Sequence, residues 1–292
     1  MNWIALATIS ALLSAAAAVA QKRVLFRTAA LEFAFLVSVV TLALSAWVPL
    51  KLDVWAFPPP ALALLAAKSV LSGLAFLLVM RTLERNELSS ALPLLGLTPA
   101  VVAVLSPFVL HQGLRPLEWG GLALVTGGTA LLESRDGRGL LAAWREAIAS
   151  AKHRDVTGAL LLFAITALAD KLLVTNLKVP PFAVLFHQHV VYVAMFGAFL
   201  LLRRASAATL AARAREHAPL LVGIGVLTLG YRWFQLLATQ AGPVALVLAT
   251  KRTSIVYASL AAGTLFREQR VAVRVAGAAL IVLAGFLLLG RE

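Results

Sequence analysis

The chain has 292 residues, 61% hydrophobic and only 13% charged, with a mean hydropathy of +0.91. Soluble domains are about half apolar and about a quarter charged, so a water-soluble enzyme is excluded. The 26 Lys and Arg against 13 Asp and Glu are scattered rather than gathered into a nucleic-acid footprint, and the absence of cysteine rules out disulfides, thiolate metal sites and cysteine nucleophiles.

A crossing of the hydrocarbon core takes about 20 residues, and the chain divides into ten apolar runs on that measure. The first five are 3–20, 31–50, 61–80, 88–110 and 117–132; the second five are 157–177, 182–202, 219–239, 243–266 and 271–289. No basic segment precedes the first run, so it reads as a span and not as a cleaved signal. Residues 133–155 form the one long connection, and its stretch 140–151, with Trp144, Arg145 and Glu146, predicts an amphipathic helix at the membrane interface. The expected fold is an all-α integral membrane protein of ten transmembrane helices, five in 1–132 and five in 156–292.

The two halves echo each other. Ala-Leu-Pro-Leu-Leu at 91–95 parallels Ala-Leu-Val-Leu-Ala at 245–249, and Gly121, Leu124, Leu131 and Leu132 fall opposite Gly277, Leu280, Leu287 and Leu288. A repeat with an odd number of spans sets its copies in opposite orientations, the inverted repeat of many secondary transporters. Gly120, Gly121, Gly127 and Gly128 permit close helix contact. Pro93, Pro99 and Pro107 can bend the fourth run.

Connections after odd-numbered spans carry Lys22, Arg23, Arg27, Arg81, Arg85, Arg135, Arg138, Arg145, Lys152, Arg154, Arg203, Arg204, Arg213, Arg215, Arg267, Arg270 and Arg274, while the other side has only Lys51, Arg115, Lys178 and Arg291. The positive-inside rule then puts the basic face in the cytoplasm and both termini outside.

The five-plus-five layout, the small-residue fourth and ninth runs, and Phe-Arg-Glu-Gln at 266–269 ahead of a last run with Gly277 and Gly285 resemble the drug/metabolite transporter superfamily, in its EamA-type ten-helix branch. In the first half the corresponding Glu is replaced by Gln112. The resemblance implies a secondary transporter working by alternating access in a bacterial inner membrane. It also implies termini in the cytoplasm, against the loop charge.

Ionisable residues deep in the spans mark a site. Lys68, Asp170, Lys171, Arg232, Lys251 and Arg252 each cost about 2.5 to 3.5 kcal/mol at a helix centre. Cations outnumber the one anion, so a bound anionic small molecule is the natural partner. Arg suits phosphate or carboxylate through its bidentate fork, and Lys adds a mobile charge. Thr228, Arg232, Gln235 and Thr239 recur at helical spacing on one face. Lys251 and Ser254 share a ridge, with Tyr257 beside it and Tyr231 next to Arg232. The Lys251-Arg252 pair is similar to the one with which the triose-phosphate branch holds phosphate, although that branch also has a fourth-helix Lys and 88–110 has none.

Duller roles stay open. Lys251 and Arg252 can bond helix ends, and Lys68, two turns from Pro60, is long enough to snorkel. Asp170 and Lys171 fit an ion pair or a proton-coupling role. His187 and His189 fit either proton coupling or packing; their i, i+2 spacing with no nearby carboxylate speaks against metal, and a membrane enzyme using either as base would lack the usual paired carboxylates. No nucleotide fingerprint or zinc motif appears, so no cofactor is expected. Expected partners are the bilayer and a small anion, with a homodimer left open. The expected function is secondary transport of a phosphate- or carboxylate-bearing metabolite or lipid headgroup; the alternative is proton-coupled export of amino acids or amphipathic drugs.

Overall fold

The structure is a computed structural model describing residues 2–84, 95–133 and 154–254. Every regular element among them is a helix. Helix α1 (Trp3–Leu25) starts where Asn2 accepts the Ile4 N–H at 2.9 Å and ends with Lys22 and Arg23 in its last turn, both favourable to the helix dipole. Then come α2 (Ala30–Leu44), the short α3 (Val48–Lys51) and α4 (Pro59–Glu84). Helix α5 (Thr98–Leu110) closes on His111, whose φ of 53° ends it in the left-handed region. After α6 (Pro116–Glu133), α7 (Arg154–Lys171) runs into a π-helical turn, Leu172–Asn176. The rest comprises α8 (Pro181–Leu202), α9 (Ala207–Glu216), α10 (Ala218–Ala241) and α11 (Val244–Arg252). Proline at the first turn of α3, α5, α8 and α10 costs no hydrogen bond there and sets the helical φ.

Six stretches are long and apolar enough to cross a membrane: Trp3–Leu25, Ala30–Lys51, Pro59–Glu84, Arg154–Asn176, Pro181–Leu202 and Ala218–Ala241. They cover the expected spans one to three and six to eight. The fourth span appears as α5, ten residues later at its start, with 88–94 outside the described residues; so are half of the ninth (255–266), all of the tenth and the interfacial stretch 140–151. Helix α9 was not foreseen. Its sequence, AATLAARARE, carries no apolar run, and it has no buried residue. The second span is also broken, since Pro49 starts a new short helix after the turn at 45–47.

Packing pairs α1 with α10, α4 with α7, and α8 with both α2 and α4; α5 lies against α7 and α11 against α1. Ala7, Ala11 and Ala15 are buried on α1, and small residues of this kind let helix backbones approach. There the Ser10 hydroxyl donates to the Tyr231 carbonyl at 2.8 Å. A core of Phe33, Val37, Leu77, Phe196, Leu221 and Ile224 ties α2, α4, α8 and α10 together. Outward-facing Val104, Phe108, Leu161, Ile165, Val222 and Val226 are exposed, an apolar surface suited to lipid.

Candidate functional site

Asp170 anchors the interior. One carboxylate oxygen accepts from Lys68 Nζ at 2.7 Å and the other from Arg232 Nη2 at 3.0 Å, which ties α7 to α4 and α10. The Lys68 side chain is 1% exposed and that of Asp170 is 5%, so this pair sits in a low-dielectric interior where an unpaired charge is costly. Lys68 therefore does not snorkel toward Pro60, because its partners lie inward. Gln188 of α8 completes the cluster, its Oε1 accepting from Lys68 at 2.7 Å and from Arg232 at 3.0 Å. Gln235, one turn along α10, does the same for the next pair: its Oε1 accepts from Arg232 Nη1 at 3.1 Å and Lys251 Nζ at 2.6 Å. Two amide carbonyls thus hold three cations in a row without adding negative charge.

Arg232 and Lys251 of this row, but not the expected contact Lys68, line a cavity of about 200 Å³. Arg232, Gln235, Lys251 and Arg252 form its α10–α11 wall, with Asp170 beside them. Lys251 Nζ lies 4.5 Å from the centroid of the Tyr231 ring, a cation–π distance. Arg252 Nη2 donates to Thr98 Oγ1 at 3.1 Å, linking α11 to α5. Another part of the lining comes from α2, α4 and α8: Ser38, Ser72, Phe76, His189 and Tyr192. Ser254 also reaches the cavity, and Thr228 lines it one turn before Arg232. Tyr257 lies outside the described residues.

Two residues expected at the site are elsewhere. Asp170 and Lys171 are neighbours in sequence but do not pair, because adjacent positions on a helix point about 100° apart. Lys171 Nζ donates instead to the carbonyls of Thr239 at 2.6 Å, Gly242 at 3.0 Å and Gln240 at 3.4 Å, where α10 ends and its last carbonyls lack helical partners. His187 has its Nε2 2.6 Å from the Val54 carbonyl and its ring edge-on to Trp55 at 4.8 Å, a packing position outside the cavity. Thr239, last of the expected polar row, is buried and meets Lys171 through its carbonyl. Among the described residues no three His, Asp or Glu side chains come together in a metal-binding arrangement.

The sequence reading missed Gln188, Thr98, Ser38 and Tyr192. An amide in the middle of an apolar run, flanked by two histidines, was a signal for Gln188. The others are hydroxyl residues of a kind common in membrane helices, and only the assembled bundle brings them to the cavity.

No curated protein matches the chain. A protein of known crystal structure shares the fold with a TM-score of 0.71 at 15% sequence identity, the match covering 98% of this chain and 96% of that one. Residues 1–134, just under half of the chain, are similar to the EamA-like transporter family.

Proposed function

We propose that the protein is a secondary transporter that carries a small anionic metabolite, bearing phosphate or carboxylate, by alternating access. The observation that carries this reading is the α10–α11 wall of the cavity. Arg232, Lys251 and Arg252 meet there, and the nearby carboxylate, Asp170, is held on both oxygens by Lys68 and Arg232. An anion entering the cavity finds an excess of donors and positive charge. Among the described residues a cationic amphiphile finds no acidic group free to receive it, which weighs against export of amphipathic drugs. Arg232, Lys251 and Arg252 are the proposed anion contacts, with Ser254, Tyr231 and Gln235 around them. Lys68 acts behind the wall as a fixed counter-charge to Asp170. A proton-coupling role fits Asp170 better than Lys171 or His187, which face away from the cavity.

The helix pairing supports the five-plus-five inverted repeat. The first span of the first half, α1, packs on the third of the second half, α10; the first of the second half, α7, packs on the third of the first half, α4; and the two second spans, α2 and α8, pack on each other. Exchanging the halves leaves this pattern unchanged. The division into 1–132, 133–155 and 156–292 and a bacterial inner-membrane location belong to the same reading.

Counterflow in proteoliposomes tests it. Vesicles preloaded with an unlabelled organic phosphate or carboxylate should take up the labelled compound through the wild-type chain, and Lys251→Ala and Arg252→Ala should abolish uptake. Uptake of neutral or cationic solutes alone, unaffected by both variants, would overturn the proposal.

A further inference from the structure

The walls of the cavity differ in hydrogen-bonding sense. On the α10–α11 side Arg232, Lys251 and Arg252 can only donate, beside the hydroxyls of Thr228, Tyr231 and Ser254. On the side formed by α2, α4 and α8 the hydroxyl donors are already engaged. The Ser38 hydroxyl donates to the Ala34 carbonyl at 2.6 Å, Ser72 to the Ser69 carbonyl at 3.2 Å, and Tyr192 to Ser72 Oγ at 2.9 Å. Each such hydroxyl has only lone pairs left to offer, and one of those on Ser72 is taken by Tyr192.

His189 belongs to that wall, and its tautomer is fixed by its neighbour. Nδ1 stands 2.8 Å from the Leu185 carbonyl. A carbonyl oxygen can only accept, so Nδ1 carries the hydrogen and Nε2 of the neutral ring is an acceptor. The residue is buried and lines the cavity.

We infer that the cargo is an anion whose body carries hydroxyl groups, and that His189 Nε2, with the oxygens of Ser38 and Tyr192, is the acceptor surface that reads them. This rests on the anion-transport reading above. A donor on the cargo could be an ammonium or a hydroxyl. The acceptors facing it are neutral, Asp170 is engaged on both oxygens, and Lys68 and Arg232 lie close to the same wall through Gln188. A second positive charge on the cargo would meet repulsion there, whereas a hydroxyl would not.

The experiment measures binding of matched anions to the purified full-length protein by calorimetry: glycerol phosphate, propyl phosphate and phosphoethanolamine, with glycerate and propionate as a carboxylate pair. Wild type should bind the hydroxylated member of a pair about tenfold or more tighter than its deoxy analogue, because a buried acceptor left unfilled costs at least one hydrogen bond. In His189→Phe that preference should shrink to about threefold or less while affinity for the deoxy anion is kept, and His189→Gln, which retains an acceptor, should restore part of it. Equal binding of hydroxylated and deoxy anions by wild type, or an unchanged preference in His189→Phe, would overturn the inference and leave the anion reading standing. Tightest binding of phosphoethanolamine would overturn it in favour of an ammonium-bearing cargo. Failure of every anion to bind would remove the anion reading and this inference with it.

Discussion

Lys68 and Asp170 show how a buried charge is offset by a partner of opposite sign. Each is almost fully buried, and each supplies the other with a partner it cannot obtain from lipid. Lys68→Met leaves Asp170 with Arg232 alone and should cost about 3 to 5 kcal/mol of stability, the usual penalty for breaking a buried pair. The double variant Lys68→Met/Asp170→Asn should recover a good part of that loss, as read from unfolding midpoints in detergent; a double variant no better than the single would contradict the pairing. Close packing gives a second residue-scale prediction. A Cβ on Gly242 would lie 2.5 Å from Trp3 Cγ, so Gly242→Ala should destabilise by about 1 to 3 kcal/mol, the range for overpacking. Trp3→Ala in the same chain should cancel most of that increment in a double-mutant cycle. At this scale the sequence was partly legible. A charge in an apolar run announces itself, as Arg232 and Lys251 do, but its partner does not: Lys68 and Asp170 are 102 positions apart, and only the packing of α4 on α7 joins them.

The π-helical turn after α7 and the end of α10 form one joint. The Leu177 N–H bonds the Leu172 carbonyl, widening the helix directly after Asp170 and Lys171. One of these faces the cavity and the other holds the open carbonyls of α10. Lys171→Met should therefore speed amide exchange around residues 238–243 by about tenfold or more, the equivalent of a charge-assisted hydrogen bond worth about 1.5 kcal/mol, with anion affinity unchanged. A fall in affinity at unaltered exchange would give Lys171 a role in the cavity instead. Helix α9 is held at its end by Glu216, which pairs with Arg213 at 3.1 Å and Arg27 at 3.7 Å. The hydrogen bond from Arg213, with His217 and Arg27 adding positive charge, keeps the Glu216 carboxyl below the usual carboxylate range. A depressed folded-state value contributes stability above the ordinary carboxylate range, and that contribution is lost as pH falls through the depressed value. Amide exchange in α9 should accelerate on acidification through that window and should show no such step in Glu216→Gln. The apolar runs made the spans legible, whereas α9 was hidden because an amphipathic helix of Ala and Arg looks like a polar loop to a hydropathy window.

Across the whole molecule, the bundle turns scattered cations into a two-sided chamber. The basic connections at Lys22, Arg23, Arg203 and Arg204 lie on the opposite side of the spans from Asp53 and Lys178. Single cysteines placed at Asp53 and Arg204 in this cysteine-free chain should therefore react with an impermeant thiol reagent on opposite sides of the membrane, the one at 53 from outside. Six of the spans were legible as apolar runs because lipid imposes such runs on sequence. The acceptor wall was not, because it depends on which carbonyl each hydroxyl and the His189 ring happen to bond. Binding of small anions to the purified protein reports most directly on the chamber. Organic phosphates or carboxylates should raise its melting temperature, since a ligand stabilises the state that binds it, and Lys251→Ala and Arg252→Ala should each remove the rise. Stabilisation by neutral or cationic compounds alone, undiminished in both variants, would contradict an anion-binding cavity.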